Sequence, residues 1–285
     1  NDSHAIAIPP DIVANLGDIP QQRWQVAEPR PPRFDPREMY GLISADPRVP
    51  TNNRDIIARL VDGSEFHEFK PLYGDTLITG FARIMGFEIG IVCNNGVLFS
   101  ESALKATHFI DLCCKRGIPL LFMADVTGFM VGREAEEGGI SKHGAKMITA
   151  MASADVPKYT LIIGNSYGAG YMSMCGRPMK PNAMMMWPNG RSAIMGPDQA
   201  ANTLAMVRDE VHKREGTSWT EEEREAYRAP VRQQFEDFAN AYNFARNIWC
   251  DMVIDPLETR NVMALLLDLA GRLPPKETRV GVLRM

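Results

Sequence analysis

Residues 159–177 read Tyr159-Thr-Leu-Ile-Ile-Gly164-Asn-Ser-Tyr167-Gly168-Ala169-Gly170-Tyr171-Met172-Ser-Met-Cys175-Gly176-Arg177. An apolar, β-branched run breaks into a glycine-rich turn and re-enters a helical pattern. Small residues at such a strand-to-helix corner let the backbone approach a ligand closely. The first amides of the following helix have no intrahelical acceptors, so they can donate to a negative oxygen. The stretch therefore predicts a parallel-type α/β unit whose corner is suited to stabilising an oxyanion, although Gly-x-Gly alone serves packing more often than chemistry.

A second apolar run, Leu120-Leu-Phe-Met-Ala124, ends in Asp125-Val-Thr127-Gly128-Phe129-Met-Val-Gly132-Arg133. In a parallel layout two corners one βα unit apart lie side by side, at the same end of neighbouring strands. Around them, Asn53–Val61 has helical spacing, and Thr76–Ile84 with Phe87–Cys93 flank Met85-Gly86 as a hairpin. Ser102–Arg116 is an amphipathic helix stopped by Gly117, feeding the strand Leu120–Ala124. The order then repeats through helix 141–152, strand 159–163, a short helix from Ala169, strands 182–187 and 192–195, and helix 197–215. Helices from Glu221 to Asp251 and from Pro256 to Leu273 close the pattern, and a short helix is expected at 10–16.

Composition excludes several function classes. The chain has 285 residues, 45% of them hydrophobic, enough for one sizeable core, and no linker divides residues 54–285. A net charge of −4 with interspersed signs leaves no nucleic-acid footprint, and Glu221-Glu-Glu-Arg224 reads as a solvated helix face. No apolar stretch approaches the roughly 20 residues of a membrane span, and no signal peptide is visible. Five scattered cysteines without paired metal spacing point to a reducing compartment, and the five histidines form no metal cluster. His143, between the two corners, reads as a helix-surface residue, and Met184-Met-Met-Trp187 as a buried strand.

Taken together, Arg54–Phe66, Asn94–Ala103, Thr127–Arg133, Ser166–Gly170, Met174–Arg177, Trp187–Asn189, Gln199–Asn202 and Ile254–Arg260 form an ordered set. The set resembles the C-terminal half of the carboxyltransferase (beta) subunit of biotin-dependent acyl-CoA carboxylases, nearest the methylcrotonyl-CoA and geranyl-CoA type. The resemblance runs from about Arg30 to Met285. It implies the crotonase-like ββα spiral superfold. It also implies that 1–53 is a connector at the end of an N-terminal half, and 54–285 the carboxyltransferase C-terminal domain on the biotin side. Biotin would arrive on a separate carrier domain, and the further expected partners are the carboxyltransferase N-terminal half, a biotin carboxylase subunit, an acyl-CoA and an oligomer. The setting implied is the cytoplasm, or the mitochondrial matrix in a eukaryote.

In that family carboxybiotin releases CO₂ and leaves a biotin enolate whose ureido nitrogen removes the substrate proton. No side-chain base is required, and none closely follows Gly168-Ala169-Gly170. The oxyanion donors map onto the backbone amides of Ala169 and Gly170. Thr127, Gly128, Phe129, Tyr167, Gly168, Tyr171 and Met172 map onto the biotin and substrate cleft, with Phe129 either a cleft wall or a core aromatic. No metal is implied. Three departures stand out: Gly170–Gly176 where the family usually has Gly-Asn-Tyr-Gly-Met-Cys-Gly, Ala124-Asp125-Val126 for Gln-Asn-Ile, and Gly196-Pro197-Asp198-Gln199 for Gly-Gly-Glu-Gln. The first leaves the acyl group open. A crotonase-type hydratase would need an acidic side chain at the corner. A biotin-dependent decarboxylase or transcarboxylase component, or a non-catalytic structural subunit, fits the same residues.

Overall fold

In the computed structural model the described residues are 20–43 and 51–274, together with Pro10, Val13 and Val49. Apart from Pro10 and Val13, the expected helix at 10–16 lies outside them. Helices α1 (Met39–Leu42) and α2 (Asn53–Leu60) precede strands β1 (His67–Glu68), β2 (Leu77–Ile84) and β3 (Phe87–Asn94). Helix α3 (Ser100–Arg116), strand β4 (Leu120–Val126), helices α4 (Arg133–Glu137) and α5 (Ile140–Ser153), strand β5 (Lys158–Tyr167) and helix α6 (Gly168–Ser173) follow. Then come β6 (Ala183–Met186), β7 (Arg191–Ala193), helices α7 (Pro197–Glu215), α8 (Glu221–Ala239) and α9 (Ala241–Arg246), β8 (Met252–Val253) and α10 (Thr259–Gly271).

Among the described residues the strands form one sheet in the order β1-β2-β3-β4-β5-β6-β8, with β7 added to the far end of β5. The first two pairings are antiparallel and those from β3 onward are parallel. Parallel strands need covered faces. One face buries Phe122, Ala124 and Ile162 under Ala106, Phe109 and Ile110 of α3 and Met147 and Met151 of α5. The other buries Leu121, Met123 and Leu161 under Ile56, Ile57 and Leu60 of α2 and Met263 and Leu267 of α10.

Local chemistry explains the element ends. Met85 and Gly86 both take positive φ, the two-residue turn that matches strand twist, and Gly117 ends α3 in the left-handed region. Gly86 is required twice over, because a Cβ there would stand 2.0 Å from the carbonyl oxygen of Ala27. That contact belongs to the described part of the expected connector. Residues 20–43 lie along the molecule as a strap: Arg23 N donates to Gly271 O at 3.1 Å, Ala27 N to Gly86 O at 3.1 Å, and Met39 is fully in the core.

The quoted stretch departs from expectation in one respect. The strand does not stop at Ile163 but runs to Tyr167, so Gly164 is a strand residue and the corner begins at Gly168.

Candidate active site

The two corners stand side by side, as their parallel pairing requires. The absent Cβ of Gly170 would lie 3.0 Å from Cγ2 of Val126 and 3.2 Å from Cα of Gly128. The backbones therefore meet with no room for a side chain. Gly168 has φ +52 and its absent Cβ would lie 2.9 Å from Ile194 O, so both glycines are demanded by close approach. Helix α6 has no side-chain cap at its start. The amides of Gly168, Ala169 and Gly170 occupy its first turn, where no helical carbonyl precedes them. Ala169 is exposed and Gly170 buried.

Beside these corners lies a cavity of about 600 Å³ whose lining includes Thr127, Asn165, Tyr167, Arg191, Asp198 and Glu236. Strands β5 and β7, helices α7 and α8 and the loop after β4 converge here. The β5–β7 register sets Asn165 opposite Arg191 and Ser166 opposite Ser192, and Ser192 Oγ donates to Ser166 O at 2.8 Å. Helix α7 begins at Pro197 behind a Gly196–Gln199 cap, and Arg232 Nε of α8 donates to Asp198 Oδ1 at 2.6 Å, tying the helical hairpin into the cavity wall. Burial pushes the Tyr167 phenol up to about 12, so at neutral pH it is an uncharged donor at the cavity surface. Asp125 sits just beneath: burial pushes its carboxyl up, opposed by hydrogen bonds from the Asn165 amide, at 2.9 Å, and from the Asn53 side chain.

Of the residues expected in the cleft, Thr127 and Tyr167 line the cavity, while Gly128, Gly168, Ala169 and Gly170 form the abutting corners. Two differ. The Tyr171 ring turns into the core, edge-on to Phe244 at 6.3 Å, with its oxygen accepting from Arg177 N at 2.8 Å. Gly176 is small because a Cβ there would lie 2.6 Å from that ring. Phe129 packs over Gly144 of α5 and joins the same core, so its ring is the core aromatic rather than a cavity wall. Met172, half-buried, lies one helical turn after Ala169 on the same side of α6. Arg191 and Glu236 were not foreseen, because only β7 pairing and the α8 crossing bring them here. His143 is on a helix, as expected, but half-buried rather than at the surface.

Several motif residues far from the cavity are structural. Asp62 accepts from Met85 N, Gly86 N and Arg260 Nη2, at 2.9, 2.7 and 2.8 Å. Trp187 Nε1 donates to Thr259 Oγ1 at 3.0 Å.

Comparison with known proteins identifies the family and the fold. The carboxyl transferase domain family matches residues 1–277. The chain belongs to that family. It is 50% identical over 285 residues to the biotin-dependent 3-methylcrotonyl-coenzyme A carboxylase beta1 subunit of Mycobacterium tuberculosis, covering 100% of this chain and 54% of that protein. It is 46% identical to the probable mitochondrial methylcrotonoyl-CoA carboxylase beta chain of Drosophila melanogaster, covering 100% of this chain and 52% of the relative. Among solved structures, the Pseudomonas aeruginosa geranyl-CoA carboxylase beta subunit matches with TM-score 0.84 and 37% identity, over 100% of this chain and 54% of that one. The carboxyl transferase domain chain thus has the α/β fold of crotonase-like carboxyltransferases, and it spans about half the length of the curated relatives it matches. Among the described residues no helix is long and apolar enough to cross a membrane.

Proposed function

We propose that this chain supplies the biotin-facing part of a carboxyltransferase site that moves a carboxyl group from carboxybiotin to an acyl-CoA of the methylcrotonyl or geranyl type. The supporting observation is the abutment of the two glycine corners beside an open cavity, with first-turn amides that no carbonyl of their own helix accepts. Biotin, when bound, supplies the carboxyl group and the ureido nitrogen that takes the substrate proton. Its planar ureido ring suits a surface stripped of side chains at Gly128, Gly168 and Gly170. The amides of Ala169 and Gly170 donate to the oxygen on which negative charge develops; a preorganised donor of this kind is worth about 10²–10³ in rate. Thr127 and the neutral Tyr167 phenol offer hydroxyl donors along the cavity wall. The half of the site that holds the acyl-CoA thioester belongs to a carboxyltransferase N-terminal half, with biotin on a carrier subunit, in an oligomer of the cytoplasm or mitochondrial matrix.

The test is reconstitution. The chain, an N-terminal carboxyltransferase half and a carboxylated biotin carrier are mixed with 3-methylcrotonyl-CoA, and product formation is followed with and without avidin. Avidin-sensitive carboxylation that needs all three components is expected. Turnover of acyl-CoA by the chain alone, indifferent to avidin, overturns the proposal. Net decarboxylation of a carboxyacyl-CoA with no forward transfer would assign the chain to the decarboxylase class instead.

A further inference from the structure

The β4–β5 ladder contains an irregularity that the reaction described above does not use. Ala124 pairs with Ile162, yet the next pair is Val126 with Ser166. On β4 only Asp125 lies between those pairs, whereas β5 places Ile163, Gly164 and Asn165 there. Extra residues on one strand leave backbone groups without ladder partners. The Asp125 side chain fills the gap: its Oδ1 accepts from Asn165 N at 2.9 Å, and the same oxygen lies 2.3 Å from where a Cβ of Gly164 would stand. Glycine at 164 is thus the space for this carboxylate. The Asn53 side chain of α2, whose Nδ2 donates to Asn94 O at 2.6 Å, lies close enough to act on the same carboxyl.

This strut stands between the two corners. Two residues after Asp125 comes Thr127, which lines the cavity, and Val126 packs on Gly170; three residues after Asn165 comes Gly168, where α6 starts. We propose that Asp125 is a positioning residue: its side-chain oxygen, seated over Gly164, fixes the slip between β4 and β5 and so sets the Ala169 and Gly170 amides against Gly128. What the position needs is a planar acceptor of this length. Asparagine satisfies that need; alanine does not.

The inference rests on the carboxyltransferase reading for its kinetic arm and on the chain alone for its structural arm. In the reconstituted enzyme, Asp125→Ala is expected to lower kcat on the order of 10²-fold, the usual penalty for a misplacement of about 1 Å, with KM for acyl-CoA within about twofold. Asp125→Asn is expected to restore kcat. Gly164→Ala should match the Asp125→Ala loss, and the double variant should be no worse than either single one, because both remove the same contact. Hydrogen exchange of the isolated chain, followed by mass spectrometry, should quicken across residues 163–170 in Asp125→Ala and not in Asp125→Asn. Wild-type kcat in Asp125→Ala, failure of asparagine to rescue, additive losses in the double variant, or unchanged exchange at 163–170 would each overturn the positioning role. If the wild-type mixture transfers no carboxyl group, the functional reading fails while the exchange experiment still decides the strut.

Discussion

Gly170 concentrates three demands in one residue: it closes onto Val126 and Gly128, sits in the first turn of α6, and carries an amide without an acceptor in its own helix. Gly170→Pro removes that amide proton and adds a ring where 3.0 Å separates an absent Cβ from Val126. We expect a loss on the order of 2.7–4 kcal/mol in transition-state stabilisation. Circular dichroism and assembly size must match the parent, and near-normal turnover in such a variant would show that the amide is not a donor. Next to it, Met172 is the residue of its turn left to the Ala169 side once Tyr171 has turned inward. An unbranched, adaptable thioether there suits varied acyl chains. Met172→Tyr should narrow the preference by about tenfold or more in relative kcat/KM across acetyl-, propionyl-, 3-methylcrotonyl-, geranyl- and long-chain acyl-CoA, since one methylene in an apolar pocket is worth about 1–3 kcal/mol. An unchanged rank order would remove Met172 from specificity. His108 gives a pH signature unrelated to the site. Lys70 Nζ lies 3.1 Å from its Nδ1, and burial, then the Lys70 charge, hold the imidazole below its ordinary value. Folding therefore favours neutral His108, so the stabilisation is present above the unfolded value of about 6.5 and is lost as pH falls through the lower folded value. Urea midpoints measured from pH 8 down to pH 5 should fall more steeply in the parent than in His108→Gln.

At the scale of elements, the residues that look most like catalytic apparatus are often clamps. Asp62 is 2% exposed and ties the β2–β3 turn to α10 through Arg260, which also donates to Leu60 O at 2.7 Å. Removing one partner of a buried pair strands the other charge. Arg260→Leu is expected to cost about 3–5 kcal/mol of unfolding free energy by denaturant titration. A change below about 1 kcal/mol would mean that Asp62 is satisfied by the Met85 and Gly86 amides alone. The elements themselves were largely legible. Helix α7 spans the expected Pro197–Glu215, and Gly117 and the Met85-Gly86 turn mark their boundaries through backbone conformations that few other residues adopt cheaply. The length of β5 was not legible. Gly164 reads as a turn residue until the Asp125 carboxylate that needs the space is in place.

Across the whole molecule, stability is unevenly distributed. The sheet is packed on both faces, whereas the α7–α8 hairpin buries only Ala200, Ala201 and Ala205 from α7 and Ala239 from α8. It is held largely at its base by Asp198–Arg232 and at its tip by Asp209, which accepts from Trp219 Nε1 at 2.6 Å and Arg224 Nη2 at 2.8 Å. Few buried contacts mean a low local opening free energy. Limited proteolysis should cut within 215–220 before any site in the sheet, with fragments read by mass spectrometry; first cleavage between 120 and 167 would contradict this. The same hairpin forms one wall of the cavity, so its mobility and the shape of the site are linked through Asp198 and Arg232.

By itself the sequence determined the alternation of strands and helices, the two glycine corners and the family, because each is written in short-range chemistry: caps, positive-φ turns, apolar period and motif order. Only the tertiary structure decided which side chains face the cavity. Tyr171 and Met172 are neighbours in sequence and part company because Phe244, Met184 and the Arg177 amide claim the tyrosine ring and its hydroxyl. Arg191 and Glu236 reach the site because β7 pairs with β5 and α8 folds back along α7. Asp125 became a strut when a two-residue slip between parallel strands left an amide in need of an acceptor. Such roles are set by contacts between residues tens of positions apart, and no local pattern in the chain encodes them.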